Sequence, residues 1–241
     1  MLERLALRRG KDYVGRIALA GSGSATVEVS LVWGTSPNDR QVIAIGQPTQ
    51  EYATTQLKFT AGADADNGRL EIVGQGEGSF YVGAVSLMPA DNVQGMRADT
   101  LQLLKELGGT VYRWPGGLFA NGYNWRIAIG ERDRRPPTLN RAYWSEDVES
   151  NDFGPDEFMA LVQALGAEPY VAVGAMNTPD VQMAAEEVQY FNGTADTPMG
   201  RLRAANGHPR PYGVRFWGVG NENWGFAALD EYPELNNQMA T

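Results

Sequence analysis

Residues 155–174 read PDEFMALVQALGAEPYVAVG, and this stretch indicates the fold class. Its first part predicts a helix that begins at Pro155, because apolar residues recur at helical spacing, at Phe158, Leu161, Val162 and Leu165. The helical pattern ends at Gly166, a residue type that favours the left-handed cap of a helix C-terminus. The last seven residues, EPYVAVG, form the short apolar run that is typical of a buried strand. A helix followed at once by a buried strand predicts α/β structure.

Similar units lie on both sides of this stretch. Leu101, Leu104 and Leu107 form a helical stripe that ends at Gly108-Gly109, and the predicted strand TVYRW follows. Further along, a helix predicted to begin near Thr178-Pro179 and to run towards Phe191 precedes the strand GVRFWGVG. This order of elements, strand, helix, strand, helix, strand, indicates parallel βαβ units. About three parallel strands predict part of a (β/α)8 TIM barrel, which needs eight, and the alternative is a small open α/β sheet.

The first third of the sequence has a different periodicity. Three of its segments alternate apolar and polar residues: ATVEVSLVW, TQLKFTAG and GRLEIVG. This alternation is typical of antiparallel strands with one face in water. Clusters of Gly, Asn, Asp and Pro separate the segments, as turns require. We therefore predict a jelly-roll-like β-sandwich in residues 1–88 and an α/β domain in residues 89–241.

Composition excludes several classes of function. With 20 basic and 29 acidic residues the formal charge is −9, which argues against nucleic acid and anionic membranes as partners. There is no cysteine and only one histidine, His208, so thiolate sites and histidine metal clusters are excluded and carboxylates remain as acid/base groups. No apolar run approaches the roughly 20 residues that span a bilayer. The start, MLERLALRRGKDYVG, lacks signal-peptide features, so the sequence does not distinguish a cytoplasmic from a secreted protein.

The most specific motif is WGVGNENWG, residues 217–225, at the end of the third predicted parallel strand. Catalytic residues of barrel enzymes sit at the C-terminal ends of strands. We predict that Glu222 is a general acid/base, partly desolvated between Trp217 and Trp224, and that Asn221 binds a sugar hydroxyl. In the alternative, Glu222 only caps the following loop and Trp217 belongs to the core.

A second polar side chain, Arg113, begins the run RWPGG at another strand end. An arginine at this position can orient a carboxylate and keep it ionised. In the alternative, Arg113 forms an ordinary salt bridge and the glycines serve only a tight turn.

Taken together, these motifs resemble glycoside hydrolase family 51, the α-L-arabinofuranosidases of clan A. The segments that carry the resemblance are RWPGG followed by GYNW, then DRRPP, ESNDFGPDEFM, FNGTADTPMGRLRAANGHPRPY and WGVGNENWG. Residues 86–117 also resemble family members in which a β-sandwich, similar to a carbohydrate-binding module, precedes the barrel.

The resemblance implies a retaining glycosidase that removes terminal α-L-arabinofuranosyl groups from arabinoxylan, arabinan and their oligosaccharides. Since carboxylates suffice for this chemistry, it implies no metal and no organic cofactor. It implies that Glu222 is the acid/base, that Asn221 binds the arabinose 2-hydroxyl and that Arg113 supports the catalytic carboxylates. Trp224 and Trp125 are implied as wall residues of the site.

The sequence departs from the family pattern in several places. The family nucleophile is a Glu on the seventh barrel strand, and this sequence ends at Thr241 before such a strand. We therefore expect a chain truncated at both ends, weak or inactive alone. Leu118 stands where the family often has Asn or Cys, and Gly174 where it often has Asn. Four loop carboxylates follow the RWPGG strand, but none is at a strand end: Glu131, Asp133, Glu149 and Asp152.

Two alternatives come from other classes of function. The first is a carbohydrate-binding fragment without catalysis, with Trp33, Tyr52 and Tyr81 as candidate sugar-stacking aromatics. The second is association with another copy of the chain, because an incomplete barrel leaves unpaired sheet edges.

Overall fold

The computed structural model describes residues 2–140, 147–174, 181–222 and 231–240. The chain divides into two compact units, Met1–Leu101 and Gln102–Thr241. Helix α1 (Ala98–Leu107) crosses this division. No helix in these described ranges is long and apolar enough to cross a membrane.

Seven strands make up the first unit. They are β1 (Leu2–Leu7), β2 (Asp12–Gly23), β3 (Thr26–Val32), β4 (Arg40–Gly46), β5 (Ala53–Thr60), β6 (Ala65–Gln75) and β7 (Gly78–Pro89). All of them pair antiparallel, in one sheet of order β1-β6-β3-β4 and a second of order β5-β2-β7. Antiparallel strands with one apolar face are what the alternation in this region predicts.

The two sheets of the first unit share one core. On β3, Val27, Val29 and Leu31 are fully buried, whereas Thr26 is exposed. The same cluster contains Ile17 of β2 and Phe59 of β5, which belong to the other sheet. Burying one large apolar side chain stabilises the fold by about 1.5–3 kcal/mol. Such burial is the main stabilising contribution to this unit.

The second unit alternates strands and helices. Its elements are β8 (Val111–Trp114), α2 (Phe119–Gly122), 3-10 turns at Trp125–Ala128 and Arg132–Arg134, β9 (Thr138–Leu139), β10 (Val148–Glu149), α3 (Pro155–Leu165), β11 (Glu168–Val173), α4 (Val181–Asn192), α5 (Pro198–Ala205), β12 (Phe216–Val219) and α6 (Tyr232–Ala240). Strands β12, β11 and β8 form a parallel sheet in that order, and β9 pairs with β10 antiparallel.

Local sequence explains the bounds of α3. Pro155 occupies the first turn, where its missing N–H costs nothing, and the Glu157 carboxylate accepts a hydrogen bond of 2.8 Å from the Gly154 N–H. Gly166 ends the helix at φ 68°, in the left-handed region that glycine adopts without strain. Both ends of this helix match the sequence-based prediction.

Other predicted elements differ from the structure. In α1 only Leu101 is buried, and Leu107 is 74% exposed, so the predicted leucine stripe does not form a core face. The third parallel strand is shorter than GVRFWGVG, because only Phe216–Val219 pairs with β11. The helix start predicted at Thr178-Pro179 lies outside the described residues.

The parallel sheet has two unlike faces. Trp114, Val171 and Trp217 project to one face, where they pack with residues of α3 and α4 in the second core cluster. Arg113, Tyr170 and Phe216 share a row on the opposite face, because Tyr170 is in register with both of the others. Phe216 is 48% exposed, so this opposite face is open within the described part of the chain.

Candidate active site at the strand ends

The C-terminal ends of the three parallel strands bring together polar residues that are far apart in sequence. Asn121 lies on α2, which follows β8, and Asn221 and Glu222 follow β12. Because parallel strands all end at the same edge of a sheet, these segments meet there.

Asn121 and Asn221 hold each other through two hydrogen bonds. The Asn121 Nδ2 donates to the Asn221 carbonyl oxygen at 2.6 Å, and the Asn221 N–H donates to the Asn121 Oδ1 at 2.8 Å. Asn121 is only 4% exposed, so these bonds satisfy a buried amide that would otherwise cost free energy. The Gly220 N–H also donates to the Val173 carbonyl at 2.8 Å, beyond the end of β12. The backbone that precedes Glu222 is therefore fixed from two sides.

Arg113 reaches the same point from the open face of the sheet. Its Nη2 donates to the Asn221 Oδ1 at 3.3 Å, and the Arg113 side chain is otherwise exposed. Within the described residues, the partner of the Arg113 side chain is this amide and not the predicted carboxylate. This bond orients the Asn221 amide, whose Nδ2 then points away from the guanidinium.

Glu222 has a left-handed backbone with φ 49°. For a residue with a side chain, this conformation costs on the order of 1 kcal/mol or more, and such residues concentrate at functional sites. The Glu222 side chain is exposed. The carboxylate is therefore accessible at the strand ends, and the predicted partial desolvation is not found.

Trp217 explains this difference. Its ring packs at 5.7 Å from Phe191, between centroids, and its Nε1 donates to the Val214 carbonyl at 3.2 Å. Alternation along β12 sends it to the helix-covered face, so the alternative prediction of a core tryptophan is correct. Trp224, the second predicted neighbour, lies outside the described residues.

The wall position predicted for Trp125 is also corrected. Trp125 has no exposed surface, its ring packs against Tyr190 at 5.2 Å between centroids, and its Nε1 donates to the Met183 carbonyl at 3.1 Å. A side chain with both faces and its only donor engaged in the core cannot contact a sugar.

Gly174 lies close to the backbone of α2 at this edge of the sheet. A Cβ at this position would lie 3.2 Å from the Asn121 carbonyl oxygen and 3.3 Å from that of Ala120. Both distances are tighter than ordinary van der Waals contact, so glycine allows α2 to approach the end of β11. An Asn here, which the family resemblance leads us to expect, would require α2 to move by a few tenths of an ångström.

Two of the carboxylates considered as substitutes bond to residues close to them in sequence. Glu149 differs from the prediction in that it ends a strand, the short antiparallel β10. Glu131 forms an ion pair with Arg134 at 2.9 Å, and the Glu149 Oε1 accepts from the Asn151 N–H at 3.1 Å. Among the hydrogen bonds of the described residues, none joins these carboxylates to Asn121 or Asn221. Asp152 is exposed and Asp133 engages another partner.

Several motifs behind the family resemblance build the scaffold. Arg135, from DRRPP, is 8% exposed and binds both oxygens of Glu157, at 2.9 and 3.0 Å. Burial opposes ionisation of Glu157, but the hydrogen bonds from Arg135, the Gly154 N–H and Arg132 outweigh it and hold the pKa of Glu157 below its usual range. This buried pair anchors the loops after β8 to the start of α3.

A second buried network lies beneath the segment FNGTADTPMGRLRAANGHPRPY. Arg203 is fully buried and donates to the carbonyls of Gly193 and His208 at 2.8 and 2.9 Å. The Asp156 carboxylate accepts hydrogen bonds from the hydroxyls of Tyr190 and Tyr212, and burial raises the pKa of Asp156. These charged residues therefore shape the helix-side core and do not reach the strand ends.

The model of the family described as Alpha-L-arabinofuranosidase 1 domain matches residues 103–241. The chain belongs to the α-L-arabinofuranosidase family. Among curated relatives, the intracellular exo-alpha-L-arabinofuranosidase of Bacteroides ovatus is 40% identical over 167 residues, which is 68% of this chain and 32% of that protein. Alpha-L-arabinofuranosidase C of Emericella nidulans is 42% identical over 137 residues, 57% of this chain and 27% of that protein. The chain thus spans about a third or less of the length of these arabinofuranosidases.

Solved structures agree with this assignment. An arabinose-bound structure of the MgGH51 α-L-arabinofuranosidase matches 98% of this chain and 42% of its own, with a TM-score of 0.82. The sequence identity is 23%, so this match supports similarity of fold alone. The arabinofuranosidase of Thermotoga maritima, in complex with arabinose, is 37% identical with a TM-score of 0.58 and covers 63% of this chain and 33% of its own. The resemblance to family 51 read from the sequence is confirmed.

Proposed function

We propose that this chain provides the acid/base side of an α-L-arabinofuranosidase active site. The enzyme would release terminal α-L-arabinofuranosyl groups from arabinose-containing hemicellulose such as arabinoxylan and arabinan. The observation that carries the proposal is Glu222, exposed at the strand ends directly after Asn221, whose backbone is fixed by Asn121. The names of the curated relatives support the same activity.

Glu222 would act first as a general acid and then as a general base. As the acid it protonates the glycosidic oxygen while the bond to the arabinose breaks, and as the base it removes a proton from the incoming water. Retention also needs a second carboxylate about 5–5.5 Å away as nucleophile. Our expectation that this nucleophile lies outside the chain stays a prediction.

Asn221 and Arg113 would position the sugar. The Asn221 Oδ1 accepts from Arg113, and within the described residues its Nδ2 has no protein acceptor. That Nδ2 can therefore donate to a sugar hydroxyl such as the arabinose 2-hydroxyl. Arg113 then acts as a positioning residue, because it reaches the sugar through the amide that it orients.

The parallel sheet supports a barrel origin for the second unit. We propose that β8, β11 and β12 are consecutive strands of a (β/α)8 barrel and that residues 89–241 belong to this catalytic domain. Their parallel order, helices on one face and an open opposite face are features of such a barrel. We propose residues 1–88 as the separate β-sandwich domain, and association through the edges β8 and β12 stays a prediction.

Hydrolysis of 4-nitrophenyl α-L-arabinofuranoside tests the proposed function. We expect slow turnover by the chain, and a decrease of about 10²–10⁴-fold in Glu222→Gln, because the incoming water still needs a general base when the leaving group is as good as nitrophenolate. Glu131→Gln is the matched control, because Glu131 is a loop carboxylate whose ion-pair partner within the described residues is Arg134. Equal turnover in the parent and in Glu222→Gln would refute the role of Glu222, and a parent without turnover would refute activity of this chain.

A further inference from the structure

The outer face of the sheet β5-β2-β7 carries two exposed tyrosines. Tyr52 is 60% exposed and Tyr81 is 61% exposed, although both belong to a unit with a well-formed core. Tyr81 is in register with Ala20 of β2, and the next residue, Leu19, is buried in the core. Since side chains alternate along a strand, Tyr81 projects away from the core. Trp33, the third aromatic considered from the sequence, packs instead against the core.

The Tyr52 ring is held against the backbone of β7. A Cβ at Gly83 would lie 2.8 Å from the Tyr52 Cε1 and 3.0 Å from its Cδ1, so the ring occupies the space that glycine leaves open. Gly83 sits at an irregularity of the ladder, where Ala18 pairs with Ala84 and Leu19 with Val82. The ring thus reaches from the start of β5 to the backbone of β7. Its opposite side remains in water.

The side chains around these rings are mostly neutral and polar. Thr54 and Gln56 are exposed on β5, in register with Ala18 and Arg16 of β2. Further neutral hydroxyls come from Ser22, Ser79 and Ser86. Arg16, a charged residue in this set, donates to the Ser86 Oγ at 3.1 Å. Two exposed residues of opposite charge lie nearby in the sequence, Glu51 directly before Tyr52 and Lys58 two positions after Gln56. We call Tyr52, Tyr81, Thr54 and Gln56 the tyrosine face.

These properties select one class of ligand. Sugar rings have apolar C–H faces that stack on aromatic rings, and hydroxyls that bond to neutral donors and acceptors. Nucleic acid would need clustered Lys and Arg, and a protein partner would need a contiguous apolar centre. Two flat rings among hydroxyl and amide groups meet neither requirement, and they suit a neutral glycan.

We propose that the tyrosine face binds a neutral pentose polysaccharide, at a site of the first unit that is separate in the chain from Glu222. The choice of a pentose polymer rests on the proposed function, whereas the site itself rests on the tyrosines, Gly83 and their neutral surroundings. In such a site Tyr52 and Tyr81 stack on sugar rings and the neighbouring amide and hydroxyls bond to sugar hydroxyls.

Electrophoresis of the full chain through native gels that contain soluble arabinoxylan tests this site. We expect the chain to be retarded, and Tyr52→Ala and Tyr81→Ala each to weaken the apparent affinity about tenfold, as truncation of an aromatic hot spot does. Tyr52→Phe keeps the ring and should bind as the parent does. Val42→Ala is the control, because Val42 is 47% exposed on a strand of the other sheet.

Gly83→Ala provides an independent test. The added methyl displaces the Tyr52 ring while both tyrosines remain in the sequence, so we expect the same loss as in Tyr52→Ala. Unchanged urea midpoints exclude misfolding as the cause. Absence of retardation in the parent, or parent-like retardation in all three variants, would overturn the proposal. Tyrosine-dependent retardation in a chain without turnover would support this site and refute the proposed catalysis, which separates the two.

Discussion

Glu187 offers the sharpest prediction about the energetics of this protein. It lies on α4 at 3% exposure, and its Oε1 has no hydrogen-bond partner in the described part of the chain. The hydroxyl of Tyr123 is likewise buried and has no hydrogen-bond partner among the described residues, so it does not stabilise the charged form of Glu187. Burial raises the pKa of Glu187 from 4.5 to about 8, because a charged carboxylate is poorly solvated in the core.

The sign of the effect on stability follows from this pKa. Below pH 4.5 the carboxyl is neutral in both the folded and the unfolded chain. Between pH 4.5 and about 8 only the unfolded chain ionises, so unfolding releases a proton and stability falls as the pH rises. At about 1.4 kcal/mol per pH unit, the loss reaches roughly 3 kcal/mol at pH 7 and approaches 5 kcal/mol above pH 8.

Glu187→Gln removes this titration and keeps nearly the same shape. We expect the variant to match the parent at pH 5 and to exceed it by a few kcal/mol at pH 8. Urea unfolding between pH 5 and 8, followed by tryptophan fluorescence, measures this difference. Trp33 belongs to the first unit and the other five tryptophans to the second, so the signal reports mainly on the unit that contains Glu187.

Glu106→Gln is the control, since Glu106 is exposed on α1. It should leave the pH dependence of unfolding unchanged. The reasoning is refuted if the free energy of unfolding of Glu187→Gln depends on pH as steeply as that of the parent.

Three further substitutions have defined outcomes. Asn121→Ala removes both side-chain hydrogen bonds to the backbone of Asn221. It should lower the free energy of unfolding in urea by about 1–3 kcal/mol and should also lower turnover, and full activity would contradict the proposed positioning of Asn221 by Asn121. Arg135→Met removes the more buried of the two arginines that bind Glu157 and leaves the carboxylate with Arg132 and the Gly154 N–H. Calorimetry should show a loss of about 1–3 kcal/mol that lessens on acidification, as Glu157 takes up a proton; a loss independent of pH would argue against the ion pair. Gly154→Ala places a Cβ 1.9 Å from the Ala128 carbonyl oxygen, so soluble yield and melting temperature should drop sharply, and parent-like melting would refute this contact.

Sequence reasoning worked where short-range rules decide the structure. The ends of α3 depend on Pro155 and Gly166, which act within one turn, and both were predictable. The faces of β3 follow from strict alternation, which needs no knowledge of the partner strand. The motif WGVGNENWG indicates Asn221 and Glu222, because both residues lie within one short stretch of sequence.

Sequence reasoning does not identify a residue whose hydrogen-bond partner lies far away along the chain. Asn121 was missed because both of its bonds are made to a residue 100 positions later. One signal was present, since Asn121 stands between apolar and glycine residues in the segment FANG of α2. Trp125 was placed at the wall because motifs do not tell which way a side chain projects. Glu187 looks like a surface residue in AAEEVQ, and only the packing of α4 reveals its burial.

Protonation of the leaving group is the central claim about Glu222, and substrates with two different leaving groups test it most directly. Turnover of 4-nitrophenyl α-L-arabinofuranoside and of methyl α-L-arabinofuranoside should be compared in the parent and in Glu222→Gln. A nitrophenolate departs with little help, whereas methoxide must be protonated as the bond breaks. We predict that Glu222→Gln loses far more activity on the methyl glycoside than on the nitrophenyl glycoside. Equal losses on both substrates would contradict the assignment of Glu222 as the general acid.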